Sequence, residues 1–184
     1  MVEKIALTGA PGSGKTSVLQ ELECIYEERT IPEAAEDIIK YLQAKGNPKP
    51  WELPDFQDRI LRLQLQREEQ AEQLEGRAFI DRGILDGMAY YQLHGKTLSE
   101  AMQEAVKQAE GRYEKVFLIE IRDNCQKTGI RRENLKEARV LEKLQHKNYT
   151  DAGYNVEIIP LIRIEDRAKR ILRSLQELKG GEEK

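Results

Sequence analysis

Gly9-Ala10-Pro11-Gly12-Ser13-Gly14-Lys15-Thr16-Ser17 frames a short turn with glycines and sets a lysine and two hydroxyls directly behind it. Residue types in that order suit the binding of a triphosphate. Glycines admit backbone conformations closed to other residues, so consecutive N–H groups can turn inward around an anion. Helix-forming sequence follows at once and adds its unpaired N-terminal N–H groups and positive dipole end. Lys15 is then placed to reach the β- and γ-phosphates, and the Thr16 hydroxyl to ligate Mg²⁺. A short apolar β run precedes the turn, which is the context this Walker A pattern requires. The alternative is a glycine-rich turn that merely caps a strand.

Other positions carry groups that such a loop would use. Asp81 closes the apolar run Ala78-Phe79-Ile80, where a carboxylate could hold a Mg²⁺-bound water; magnesium keeps several waters and takes one or two carboxylates. Its other reading is a cap on the next helix. Arg82 could pair with a substrate or transferring phosphate, or form a surface ion pair. Asp86 either joins the site or caps the helix of residues 84–94. Glu33 could accept a proton from an attacking hydroxyl or ligate metal-bound water, or serve as a first-turn acid favoured by the helix dipole.

Arg122, Lys127, Arg131, Arg132, Lys136 and Arg139 make a basic stretch. Phosphoryl transfer needs cations around developing charge and water kept out. A basic lid over about 122–134, with Arg131 as its principal cation, would serve both needs. A solvated loop and helix face is the competing reading, with Arg132, Lys136 and Arg139 following Glu133 and Glu137 in helical ion pairs. His94 and His146 are isolated and read as surface residues, as do Arg59 and Arg62. Trp51 reads as packing under its proline-rich loop rather than stacking on a base.

These groups meet only if the chain brings their elements to one edge. Strand and helix signals alternate five times. Strands are expected over the run before Gly9 and at 29–32, 77–81, 115–121 and 154–160. Helices are expected from Lys15 to about Glu28, after Glu33 to a stop at Gly46, and from an Asp55 cap to about Glu75, with Phe56, Ile60, Leu63 and Leu74 on one face. Others are expected near 84–94, 98–110, 135–152 and 165–178, before a frayed tail at 179–184. Alternation of this kind argues an α/β fold with a parallel sheet wound on both sides. Right-handed crossovers align the strand C-termini along one edge, where ligands bind. Glu33, Asp81-Arg82, Glu120-Arg122 and Pro160 are thereby expected beside the phosphate loop.

The chain has 184 residues, 34% charged and 6% aromatic, with a net charge of −3. This length suits one domain, over 1–178. The charge balance gives no reason to expect nucleic acid or an anionic membrane as partner. No apolar stretch approaches the ~20 residues of a membrane helix, and no signal peptide opens the chain, so a cytoplasmic protein is expected. Cys24 and Cys125 stand far apart and read as buried or inert thiols.

GAPGSGKTS, the IPEAA segment, FIDRGILDGMAYY, the basic RREN segment, and YTDAGYNVEIIP followed by Arg167 together resemble a group of P-loop predicted ATPases with an AAA-type domain, close to small-molecule and nucleotide kinases such as nicotinamide riboside kinase. The resemblance covers nearly the whole chain. It implies a three-layer P-loop NTPase fold, a five-stranded parallel sheet in the order 2-3-1-4-5, and a lid after the fourth strand. It also implies Glu33 and Asp81-Arg82 near the γ-phosphate and acceptor, and Arg131 in the lid. Gln126-Lys127-Thr128-Gly129 departs from relatives that carry an acid there. The activity implied is transfer of the γ-phosphate from ATP-Mg²⁺, or from GTP, to a small hydroxylated or phosphorylated acceptor. An NTP-driven switch or ATPase acting on a protein partner is the alternative. No Asn-Lys-x-Asp segment marks a Ras-like guanine switch, and the chain is short for a full AAA+ module.

Overall fold

Ile5 and Leu7 point to one side of the first strand and Ala6 to the other, all fully buried, so this strand must be covered on both faces. The computed structural model describes residues 2–73, 75–121 and 133–182. Strands β1 (Glu3–Thr8), β2 (Arg29–Ile31), β3 (Arg77–Asp81), β4 (Lys115–Ile119) and β5 (Val156–Ile159) form a parallel sheet in the order β2-β3-β1-β4-β5. That is the order the resemblance implied. The register sets Leu7 opposite Asp81 and Thr8 opposite Leu118, which brings the end of β3 beside the start of the glycine turn.

The helices are α1 (Lys15–Tyr26), α2 (Ala34–Ala44), α3 (Phe56–Glu72), α4 (Ile84–Leu93), α5 (Glu100–Lys107), α6 (Leu135–Asp151) and α7 (Ile164–Glu182). Val18 and Leu22 of α1 and Ala168 and Ile171 of α7 pack on Ile5, Leu7, Phe117 and Ile119. On the opposite face, Ala71 of α3, Leu85 of α4 and Tyr149 of α6 meet Ala6, Ile80 and Val116. The result is a three-layer α/β fold. Beyond the sheet edge, Ile39, Leu42 and Phe56 form a separate cluster against which Trp51 packs, as its loop position suggested. No helix among the described residues is long and apolar enough to cross a membrane.

Several local expectations need correction. The buried face of α3 is Phe56, Leu61, Gln64, Glu68 and Ala71; Ile60 and Leu63 are only half-buried, and Leu74 lies outside the described residues. Two polar side chains are drawn inward because Glu68 accepts from Arg112 Nε at 2.7 Å, Tyr113 Oη at 3.0 Å and Gln64 Nε2 at 2.8 Å. Asp55 makes no side-chain cap; its carboxylate takes Arg59 instead, 2.8 Å away. Arg59 is thus half-buried rather than open, while Arg62 and His94 are exposed and His146 is half-buried. Pro50–Glu52 makes a single 3₁₀ turn within the proline-rich loop. β4 ends at Ile119, and Glu120 beyond it accepts the Leu161 N–H at 3.0 Å. α7 continues through Glu182, with Lys179 paired to Glu3, so the expected frayed tail is helical to that residue. Cys24 is exposed, not buried; Cys125 lies outside the described residues.

Gly83 shows how tightly α4 is set. Its φ of −95° is ordinary, so space rather than conformation calls for glycine. A Cβ there would stand 2.5 Å from Tyr149 Oη and 2.7 Å from the Tyr113 ring. Gly83→Ala is expected to lower unfolding stability by about 1–3 kcal/mol through overpacking, read as a lower urea midpoint. An unchanged midpoint would mean that both tyrosines give way without cost.

Candidate active site

The glycine turn is built by contacts on its outer side. Gly9 has φ +135°, and a Cβ on it would lie 2.5 Å from the Ile119 carbonyl. Gly14, the residue before α1, has φ +93°. A loop that turns N–H groups toward an anion turns carbonyls away from it, and buried carbonyls need donors. Three cationic side chains supply them. Lys15 Nζ donates to Gly9 O at 2.7 Å and Ala10 O at 3.0 Å. Arg82 Nη1 donates to Gly9 O at 3.1 Å, and Arg167 Nη1 to Ser13 O at 2.7 Å. Arg167 also donates from Nε to Pro160 O at 3.0 Å, which ties the loop to the end of β5. Burial, and then the nearby Arg82 charge, lower the Lys15 pKa to about 8 against the pull of Asp81, Glu33 and Asp86.

Behind the loop, Thr16 Oγ1 donates to Asp81 Oδ2 at 3.1 Å. Asp81 Oδ1 is buried with no hydrogen-bond partner. Burial pushes the carboxyl up to about 6, with Lys15 opposing the rise. An orphaned buried carboxylate oxygen next to a threonine hydroxyl fits a Mg²⁺ site, in which water and phosphate supply most ligands. Among the described residues no three His, Cys, Asp or Glu side chains cluster to hold a metal by themselves.

Arg82 follows in the left-handed region, φ +69°, a conformation costly for a side-chain-bearing residue. Its N–H donates to Leu7 O at 3.0 Å. The guanidinium is buried, which excludes the surface ion pair; Nε lies 2.9 Å from Glu33 Oε1 and Nη1 3.4 Å from Asp86 Oδ1. Burial works against its charge, but Glu33, Tyr90, Asp86 and Asp81 outweigh it and raise the pKa. Asp86 both caps α4 and joins the site. It accepts Gly83 N–H at 3.1 Å, Thr8 Oγ1 at 2.7 Å, Tyr149 Oη at 2.8 Å and Gln145 Nε2 at 2.9 Å. Glu33 stands at the start of α2 without a side-chain cap, its carboxylate turned to Arg82.

Two cavities open along this edge. One, of about 170 Å³, is lined by the loop residues Pro11, Gly12, Gly14, Lys15, Thr16 and Ser17. The other, of about 80 Å³, has apolar walls that include Phe56, Ile84 and Met102. Glu33, Ile39, Arg82 and Tyr90 line both. The structure thus brings together Lys15, Thr16, Glu33, Asp81 and Arg82 as expected. Arg131, with Arg122, Lys127 and Arg132, lies outside the described residues.

A family model described as "AAA domain" matches residues 4–167, most of the chain. The chain belongs to this AAA-domain family. No curated protein matches its sequence. Solved structures do match in fold. Deoxyadenosine kinase from M. mycoides has a TM-score of 0.69 at 15% identity, over 95% of this chain and 99% of that one. Thymidylate kinase from Candida albicans has 0.71 at 13%, over 97% and 92%. Shikimate kinase from Acinetobacter baumannii has 0.56 at 16%, over 97% and 96%.

Three residues of the AAA-domain chain escape the sequence reading. Arg167 is only one conspicuous residue of a C-terminal segment, and nothing in its spacing points 154 positions back to Ser13. Tyr90 could have been found. Arg82, Asp86 and Tyr90 recur every four residues, which sets them along one helical face. Burial raises the Tyr90 pKa, so its hydroxyl stays a neutral donor on the wall between the cavities. Gln64 looks solvent-facing in sequence and lines the apolar cavity.

Proposed function

We propose that the protein is a phosphotransferase that moves the γ-phosphate of ATP, bound with Mg²⁺, to the hydroxyl of a small acceptor. The observation that carries this reading is the wall of Glu33, Arg82 and Tyr90 common to the two cavities. A triphosphate held by the glycine loop ends at that wall, and an acceptor in the apolar cavity meets it from the other side. Proximity of this kind converts a bimolecular step into a local one.

Lys15 and the loop N–H groups hold the β- and γ-phosphates. Thr16 and Asp81 would hold Mg²⁺, which would supply charge neutralisation for the triphosphate. Glu33 takes the proton of the attacking hydroxyl as the new O–P bond forms and the bond to ADP breaks. Arg82, fixed by Gly9 O and Asp86, balances charge on the transferring group, and Arg131 is assigned the same task from the basic segment. The similar kinases are named for acceptors of three charge types: deoxyadenosine is neutral, thymidylate a phosphomonoester, and shikimate a carboxylate. Likeness of fold therefore leaves the acceptor's charge open.

ADP release with ATP-Mg²⁺ tests the reading, with and without a panel of nucleosides, nucleotides, sugars and vitamins. Acceptor-stimulated turnover is expected; a basal rate that none of them raises removes the reading, and stimulation by a protein partner would then favour an ATPase switch. With a working acceptor, Glu33→Gln is expected to lower turnover about 10²–10⁴-fold while ATP still raises the melting temperature. Turnover equal to that of the unsubstituted protein would remove Glu33 as the base.

A further inference from the structure

Arg167 stands where a cation is costly. It lies in the first turn of α7, where the positive end of the helix dipole opposes it, and it is 2% exposed, so burial strips its guanidinium of hydration. Ala168, Ile171 and Leu175 of the same helix enter the apolar core and fix how α7 lies against the sheet. From there the guanidinium donates to main-chain carbonyls of three separate segments. Nη1 reaches Ser13 O at 2.7 Å, Nε reaches Pro160 O at 3.0 Å, and Nη2 makes a longer contact with Glu120 O at 3.5 Å. Glu120 and Pro160 follow the last residues of β4 and β5. A planar fork can span three such directions, whereas a lysine ammonium is a single point of charge.

The shortest of these bonds is the one into the glycine turn. Ser13 O and Gly14 N–H belong to one peptide unit, and in a trans peptide they point in opposite directions; no peptide bond among the described residues is cis. Holding Ser13 O outward on Arg167 therefore aims Gly14 N–H inward, toward the cavity that Gly14, Lys15 and Thr16 line. A charged donor on the carbonyl also polarises the peptide and makes the N–H at its other end a stronger donor. The guanidinium lies against Gly14 itself, where an added Cβ would stand 3.4 Å from Nη1. Glycines leave a turn many conformations to choose from, so a contact from outside the turn is needed to select the one that receives an anion.

We propose that Arg167 is a positioning residue of the phosphate loop: by holding Ser13 O it aims Gly14 N–H at the bound phosphates, and so sets triphosphate affinity from a helix 154 positions away in sequence. It acts through the Ser13–Gly14 peptide and does not touch the ligand. The inference rests on the phosphate-loop reading above, and holds whether the bound nucleotide serves a kinase or an ATPase.

Titration calorimetry with ATP and with inorganic tripolyphosphate, each with Mg²⁺, is carried out on the unsubstituted protein and on Arg167→Met. Both proteins are held well below their melting temperatures, so that only the folded site is read. Both dissociation constants are expected to rise by the same factor in Arg167→Met, about tenfold to a hundredfold, as befits a lost charge-assisted hydrogen bond. An unchanged ATP dissociation constant overturns the proposal, because an arginine that merely holds the fold lowers the melting temperature and leaves the folded site alone. A loss for ATP without a matching loss for tripolyphosphate also overturns it, since Arg167 would then act on the nucleoside part. If the unsubstituted protein binds neither ligand, the phosphate-loop reading itself falls. A second readout needs no variant and stands even if Arg167→Met does not fold. Linkage requires that a ligand favoured by the Arg167 contact strengthens that contact in return. Exchange of the Arg167 Nε–H with solvent, followed by NMR, is therefore expected to slow when tripolyphosphate binds, and an unchanged rate rejects the coupling.

Discussion

Lys15→Ala is expected to abolish the thermal stabilisation given by ATP-Mg²⁺ and to weaken nucleotide binding by about 10²–10³-fold or more, the cost of about 3–5 kcal/mol for removing one partner of a buried charge pair. The Lys15 ammonium sits within reach of Gly9 O, Ala10 O and Ser13 Oγ. It is 4% exposed, so its charge acts on a bound phosphate in a medium that screens little. The ligand-free loop already holds that charge at a disadvantage. Burial lowers the Lys15 pKa to about 8 from 10.5. Between those values the unfolded chain binds more protons than the folded one, so ligand-free stability rises as pH climbs through that window. Nucleotide phosphates reverse the disadvantage by favouring the ammonium. ATP binding above pH 8 is therefore expected to take up a proton, seen as a dependence of the calorimetric enthalpy on the ionisation enthalpy of the buffer. Lys15→Ala should lose both this dependence and the rise of stability with pH. A thermal shift with ATP as large as that of the unsubstituted protein would remove the phosphate-loop assignment.

What could be read from the sequence depended on how far apart the interacting residues lie. The glycine loop needs a strand before it and a helix after it, all within the first 26 residues, and the structure reproduces that order. Glu33 and Asp81-Arg82 were found by a topological rule: in a parallel sheet the strand ends share one edge, whatever the intervening sequence. Their mutual geometry was not accessible. Arg82 stood open between a phosphate partner and a surface ion pair because nothing local shows that Glu33 and Asp86 will enclose it. The face of α3 was misjudged for the same reason. Gln64 and Glu68 fit the helical period of the buried face, but polar residues count as solvent-facing until Arg112 and Tyr113, more than forty positions away, donate to Glu68, which in turn accepts from Gln64. Asp86 resisted a choice between capping and site because the two uses involve different oxygens: Oδ2 takes the Gly83 N–H and Oδ1 takes Thr8 and Arg82.

Asp81→Asn is expected to remove Mg²⁺-dependent turnover, by about 10²–10³-fold, the equivalent of several kcal/mol of lost charge stabilisation, while nucleotide binding through Lys15 and the loop is largely kept. The same substitution should make the ligand-free protein more stable. Asp81 is 2% exposed; one oxygen has the Thr16 hydroxyl and the other has no partner. Burial pushes its pKa up to about 6 from 3.8. Between those values the folded state holds more protons than the unfolded one, so ligand-free stability falls as pH rises through the window, and above it the cost of the buried charge is complete. An amide removes that charge and can still accept the Thr16 hydroxyl. The expected gain at pH 7 is on the order of 1–3 kcal/mol, several degrees in Tm, and it should disappear near pH 4. A structural role for the Asp81 carboxylate predicts the opposite sign. Lower ligand-free stability at pH 7 would therefore place Asp81 among the groups that hold the fold. Normal turnover with Mg²⁺ would dismiss it as a metal-site residue.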